Sequence, residues 1–279
     1  MRIRVGLLAL AASTIAACSL LVDSSRLSGG DPSASADAAS DGQRVDDAAG
    51  ARDASGDGPA IHPYVEAVLA DGPALYYRLE ETADGPVKDE TGRHPATYLP
   101  GGIHAVPGAF PGSRALRLTG TGGIDAGDVL DFEGEATYTL EAWLLPEAYD
   151  EEFRFIVHHN DGEDPRQSYG IYLHASTGIG FERYVDGDGR SARASNPSVG
   201  TWHHIAGVYD GALLQLFIDG MLVDSDEDGR LARVKSTPLR VGYGWSDLAG
   251  VILGTLDELA IYDKALGEER IRAHFEAAK

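Results

Sequence analysis

The chain of 279 residues has a single cysteine, Cys18. An internal disulfide is excluded, so stability has to come from core packing or a bound metal. The uncharged apolar run Val5–Ala17 falls short of the ~20 residues a membrane-spanning helix needs. Positive charge is also scarce. Lys and Arg number 23 against 44 Asp and Glu, a formal net charge of −21. That balance argues against nucleic acid as a partner and against adhesion to an anionic membrane surface. It suits solubility outside a cell, and it suits divalent cations.

What is present at the N-terminus is a signal. Met1-Arg2-Ile3-Arg4 is a short positive region, and Val5–Ala17 has the length of a signal-peptide core. Ile15-Ala16-Ala17-Cys18 resembles the lipobox of bacterial lipoproteins, a branched apolar residue and two small ones before cysteine. The resemblance implies a signal peptide over 1–17 and diacylglycerol on the Cys18 thiol. Two or three acyl chains suffice for stable anchoring where one is marginal. Ser19, rather than Asp, follows the cysteine. That implies sorting to the outer membrane of a Gram-negative-type envelope. From Cys18 to residue 60 the chain is rich in Ser, Ala, Asp and Gly, with Val45 nearly its only large apolar residue after Leu27. Such a stretch cannot bury enough apolar surface to offset its ordering entropy, so it reads as a disordered tether. Its root-mean-square reach is roughly 35 Å.

Residues 61–279 read as one folded domain. Pro63–Gly72 is a short helical turn closed by glycine. Short apolar or alternating segments follow at Ala74–Glu80, Arg114–Thr119, Thr137–Leu145, Phe153–His158, Tyr169–Ala175, Gly180–Val185, Trp202–Tyr209, Leu213–Ile218, Met221–Asp224, Leu239–Gly244 and Val251–Tyr262. Asp-Gly, Gly-Gly and Pro-Gly pairs separate them, a pattern of sandwiches and barrels. Asp219-Gly220 between two apolar runs predicts a type I′ hairpin. Gly267–Ala278 predicts a closing helix with Ile271 and Phe275 on one stripe.

Four blocks in order, "PALYYRLEE", "YTLEAWLLP", "TWHHIAGVYDGALLQLFIDGMLV" and "GTLDELAIYDKALGEERIRAHF", resemble the laminin-G-like, concanavalin A-like jelly-roll domains. The resemblance covers Tyr64 to about Ala277. It implies an all-β fold of two packed antiparallel sheets with short flanking helices. It also implies glycan or protein binding, often with a structural calcium; some related folds are glycosidases.

Glycosidase chemistry needs two carboxylates about 5–9 Å apart. The glucanase relatives set them two or more apart on one strand, and no such pattern occurs here. Glu141 stands alone, and Asp257 and Glu258 are adjacent, which on a regular strand turns them to opposite faces. The pairs His158-His159 and His203-His204 diverge likewise, one buried and one solvent-facing in each.

Calcium wants six to eight oxygens. The resemblance implies that Asp89 and Asp257 approach each other, with carbonyls near Gly92 completing the shell. Asp224-Ser-Asp226-Glu-Asp228-Gly229 matches the front half of an EF-hand loop, but Lys235 stands where the bidentate Glu belongs. It reads as a solvated acidic loop and a weaker metal candidate; Asp186-Gly-Asp188-Gly189 is weaker still. For ligand contact the glycine-rich run holding Tyr243, Trp245 and Asp247 is the first choice. Trp143 and Trp202 are expected in the core. The expectation is a non-catalytic, lipid-anchored binding protein for a glycan or protein ligand. A hydrolase of the same fold and a structural envelope component are the alternatives.

Overall fold

The computed structural model describes residues 61–160, 166–233, 236–245 and 248–279. Cys18, the signal and tether segments, Lys235 and Asp247 therefore lie outside the described residues.

Helix α1 (Pro63–Ala70) has proline at its first position, where a missing N–H costs nothing. His62 caps it, its ring Nδ1 accepting from the Tyr64 N–H at 3.3 Å. Strands follow as β1 (Leu75–Tyr77), β2 (Pro86–Val87), β3 (Ala96–Leu99), β4 (Ile103–Pro107), β5 (Arg114–Thr119) and β6 (Gly123–Asp128). Next come β7 (Tyr138–Pro146), β8 (Arg154–Asn160), β9 (Ser168–His174), β10 (Gly178–Val185) and β11 (Asp188–Ala194). The last are β12 (His203–Tyr209), β13 (Leu213–Ile218), β14 (Met221–Glu227), β15 (Pro238–Val241) and β16 (Leu253–Tyr262), before helix α2 (Glu268–Ala277).

The strands form two antiparallel sheets of eight, the jelly-roll sandwich expected. One runs β14-β13-β12-β7-β16-β5-β4, with β1 also on β16. The other runs β11-β10-β9-β8-β15-β6-β3-β2. Side chains alternate between faces, so each strand contributes every second residue to the space between the sheets. Tyr138, Leu140, Ala142 and Leu144 of β7 meet Tyr169, Ile171 and Leu173 of β9 there, with Phe181 and Leu239.

The outer face of the first sheet is covered too. Tyr64, Val65 and Val68 of α1 and Ile271 of α2 bury Trp143, Ala206, Val208, Phe217, Ala260 and Tyr262. Both helices belong to this sheet, which is why β7 and β16 read as nearly continuous apolar runs. Trp143 and Trp202 join this cluster, Trp202 only partly buried.

The hairpin turn at Asp219-Gly220 has φ of +53° and +75°, the double positive φ of a type I′ turn. Asp186-Gly187 repeats it, at +51° and +82°, between β10 and β11. What looked like a faint metal loop is a hairpin turn. Sequence periodicity passed over β2, β3, β4, β6 and β11, because they are short or hold Gly, Pro and Asp where a strand pattern needs apolar residues.

Candidate functional site

The covered face holds a buried ionic network. Glu141 is fully enclosed, and its Oε1 accepts from the Tyr262 hydroxyl at 2.6 Å. His274 of α2 lies with Nδ1 3.0 Å from Glu141 Oε2 and Nε2 2.9 Å from Asp71 Oδ2. His204 Nε2 lies 3.3 Å from Glu141 Oε2. Burial alone would raise the Glu141 pKa; the two histidines overcome it and hold the carboxyl well below its usual range. His274 is raised for the complementary reason, Glu141 and Asp71 outweighing its burial. This network pins α2 to the sheet.

Asp257 and Glu258 do not diverge. A bulge interrupts the β16–β7 register between Asp257 and Ala260, and Glu258 has φ of +51°. The extra residue leaves both carboxylates on the helix side. Glu258 accepts from the Tyr76 hydroxyl and from Arg78 Nε at 3.2 Å. Burial pushes it up to about 7 against the pull of Arg78. Asp257 is raised further by burial and by Glu258. Its Oδ2 accepts from Ala109 N–H at 2.8 Å, and its Oδ1 is buried with no hydrogen-bond partner.

Asp89 does not join Asp257. Asp89 bridges to Tyr77 of β1, and Tyr77 pairs with Leu259, so β1 stands between the two carboxylates. Both oxygens of Asp89 are taken: Tyr76 N–H at 2.9 Å and Thr91 N–H at 3.0 Å bond Oδ1, and Arg93 and His94 N–H bond Oδ2. Burial would raise its pKa, and these bonds lower it instead. Asp89 organises its own loop, including Gly92. Asp89 and Asp257 therefore share no calcium shell; the Asp257 Oδ2, not its unpartnered Oδ1, sits beside Gly108, where a Cβ would collide with it and with Ser113.

The acidic stretch is a strand, not a loop. Asp224 and Asp226 lie on β14 and point at the edge of the opposite sheet. Asp224 Oδ2 accepts from Arg193 N–H at 2.7 Å and Asp226 Oδ2 from Ser191 N–H at 3.1 Å. They cap the free donors of edge strand β11, which closes that edge to foreign strands. Asp228 is buried and binds Arg183 Nη1 at 2.7 Å and Arg230 Nε at 2.6 Å. Among the described residues no group of three or more acidic, His or Cys side chains could hold a metal.

The other outer face is built differently. One cross-strand row runs Asp125, Arg240, His158, Gly170, Glu182, Ser191, through β6, β15, β8, β9, β10 and β11. Gly170 lets the strands and the His158 ring pack closely; a Cβ there would lie 2.6 Å from the Val157 carbonyl oxygen and 3.1 Å from His158 Cδ2. His158 Nε2 stands 3.8 Å from Glu182 Oε1. Its Nδ1 lies 3.0 Å from the Gly244 carbonyl oxygen and so donates, which leaves Nε2 as a bare acceptor with no hydrogen-bond partner. Burial pushes His158 down to about 3, so it stays neutral. Burial pushes Glu182 up to about 7, with Arg166 and Arg193 opposing.

Arg166 stacks over the Tyr184 ring at 3.4 Å and donates to Glu182 Oε1 at 3.1 Å. Trp245, half-buried, stands edge-on to Phe155 at 5.1 Å and to His158 at 6.1 Å. Trp245 is thus on this face. Tyr243 is not; it turns into the space between the sheets and is buried there. Both His158 and His159 are buried, contrary to the expected alternation of buried and exposed. His159 packs on Tyr169 and sits 2.7 Å from Asp131. Sequence reasoning missed Glu182 and Arg166, since only strand register brings them to His158.

Three solved structures show the fold. Domain 4 of AbnA, an extracellular arabinanase from Geobacillus stearothermophilus in complex with arabinotriose, aligns with a TM-score of 0.58 and 18% identity, over 74% of this chain and 98% of that one. The binding domain of Paraclostridial Mosquitocidal Protein 1 aligns at 0.60 and 18%, over 74% and 52%. The Botulinum Neurotoxin serotype G binding domain aligns at 0.58 and 12%, over 74% and 51%. The chain thus spans about half of the two toxin chains. No curated protein matches it in sequence. Residues 118–272 match the Laminin_G_3 family, more than half of the chain, and the protein belongs to this concanavalin A-like lectin/glucanases superfamily.

Proposed function

We propose that the protein is a non-catalytic, lipid-anchored module of the cell envelope whose uncovered sheet binds a glycan. The observation that carries this is the asymmetry of the sandwich. Both helices close one outer face. Among the described residues no helix lies over the other, which presents Trp245, Tyr184 and Arg166 around the buried His158 and Glu182. Aromatic rings stack on sugar C–H surfaces, and planar polar groups bond hydroxyls. The arabinotriose complex of the AbnA domain is in keeping with this reading.

The carboxylates favour binding over hydrolysis. Glu182 and Asp125 share the row but lie four strands apart, roughly 19 Å. Glycosidase pairs stand about 5–9.5 Å apart. Asp257 and Glu258 are adjacent but wholly enclosed. A calcium at Asp257 would neutralise that enclosed pair and act structurally. Anchoring through Cys18 would leave the domain on its tether, with no second membrane contact required.

The test is a polysaccharide panel against the purified protein, read by affinity electrophoresis and by reducing-end release. Retardation by at least one glycan without release of reducing ends is expected, and Trp245→Ala should abolish the retardation. Reducing-end release would make it a hydrolase; no retardation by any glycan would leave the protein-ligand reading. In cells, Cys18→Ser should free the protein from membranes.

A further inference from the structure

We infer that the glycan taken by the uncovered sheet is acidic, and that Arg166 and Arg193 receive its sugar carboxylate. This inference rests on the glycan-binding reading above and narrows it to a substrate class.

The charge on this face runs against the charge of the molecule. The chain carries −21, yet the uncovered face brings Arg166, Arg193 and Arg240 together against Asp125 and Glu182. Arg240 is buried, its Nη1 donating to the Asn160 carbonyl oxygen at 3.0 Å. Among the described residues, Arg166 and Arg193 are the two that remain oriented with donors to spare.

Each is held in place. Arg166 is fixed by its stack on Tyr184, by Ser168 Oγ at 3.2 Å from Nε, and by Glu182. Arg193 has its backbone N–H pinned by Asp224 and its Nε bonded to Ser191 Oγ at 2.6 Å. Its strand partner is Gly180, over which the Tyr172 ring lies, 2.4 Å from where a Cβ would stand. Arg166 bonds Glu182 directly, Arg193 stands two residues along β11 from Ser191, the strand partner of Glu182, and both charges act on the Glu182 carboxyl. With Glu182 near half-protonation at neutral pH, two positive charges face less than one negative charge. A planar carboxylate matches a guanidinium fork in two parallel hydrogen bonds, and a preorganised fork loses little entropy on binding.

The overall negative charge does not defeat this. The Debye length is about 8 Å at physiological ionic strength, so distant acids are screened while contact pairs are not. A bound carboxylate also favours the protonated form of Glu182. Binding should therefore take up protons and tighten as pH falls from about 8 to 6.

The experiment uses calorimetry on the purified protein. The probes are oligogalacturonate, oligoglucuronate and sialyllactose, each beside its carboxyl-reduced neutral counterpart. At least one acidic probe should bind tenfold or more tightly than its reduced form. Arg193→Ala, an exposed change, should erase that preference and leave affinity for neutral sugars in place. Arg193→Lys should restore part of it. Glu182→Gln should keep the preference and lose its pH dependence. Equal binding of every acidic probe and its reduced form overturns the inference while the glycan-binding reading stands. Binding only of neutral panel glycans overturns it too. Binding of no glycan at all removes both.

Discussion

The two sheets have similar inner faces and dissimilar outer ones. Over β7 and β16 the outer residues are Trp143, Ala260 and Tyr262 with Glu141 sealed among them, and two helices complete the layer. Over β8, β9 and β10 they are His158, Gly170, Glu182 and Tyr172 with Arg166 laid across. Both faces hold buried carboxylates, with opposite consequences. Glu141 has cationic and hydroxyl donors and is stabilised in its charged form. Glu182 lacks enough of them, and burial keeps it poised near neutrality. A buried carboxylate fully paired serves as a fastener, whereas one left partly unpaired is free to respond to a ligand.

The largest effect should come from breaking the fastener. Glu141→Ala leaves His204, His274 and Tyr262 facing an empty site, and unpairing a buried charge network costs about 3–5 kcal/mol. For a domain of this size that lowers the melting midpoint by roughly 10 °C. Glycan affinity of the protein that remains folded should not change. A Glu141→Ala protein that melts like wild type would remove the distinction between the faces.

Calcium comes next. If Asp257 holds the ion, free calcium at 100 times its dissociation constant adds about 2.7 kcal/mol. Asp257→Ala should melt lower in calcium and lose all response to chelator, while Asp89→Asn and Asp226→Ala should keep it. Identical wild-type melting in calcium and in chelator would show that Asp257 is neutralised by a proton instead.

Smaller effects follow from pH. Glu141, with its lowered pKa, contributes stability above ~4.3 that is lost as pH falls through its folded value. His274, with its raised pKa, contributes fully below ~6.5 and loses that contribution as pH rises through its folded value. Glu182 and Glu258, pushed up to about 7, keep protons that the unfolded chain releases near ~4.3. Between these values stability falls as pH rises. Urea midpoints should therefore peak near pH 5, and Glu182→Gln should flatten the neutral limb. A midpoint highest at pH 8 would contradict the assignment of these groups.

Much of the sandwich was legible in the sequence. β5 and β13 have the bounds that apolar alternation assigns, and the Asp219-Gly220 turn has the φ values its residues demand. Gly242 and Gly244 ahead of Trp245 pointed to a place outside the core, and Trp245 is half-buried against Phe155 and His158. The weaker half of the open sheet was not legible. β6 carries glycines and aspartates, and β11 carries Arg and Ser; each is a strand because its neighbours pair with it. The acidic repeat from Asp224 to Asp228 looked like a loop for a cation, yet backbone amides of β11 and two arginines take its oxygens.

By itself, then, the sequence determined the strands with strong periodicity, the tight turns, the two helices and the family. Those are local properties, set by φ preference and by the spacing of apolar side chains along a few residues. Tertiary structure alone decided that Asp257 and Glu258 share a face, that Asp89 is held apart from Asp257 by β1, and that His158, Glu182 and Arg166 meet over Gly170. These depend on register and on one bulge. A single inserted residue exchanges the faces of a strand, and no spacing within one segment reveals which strand will lie beside it.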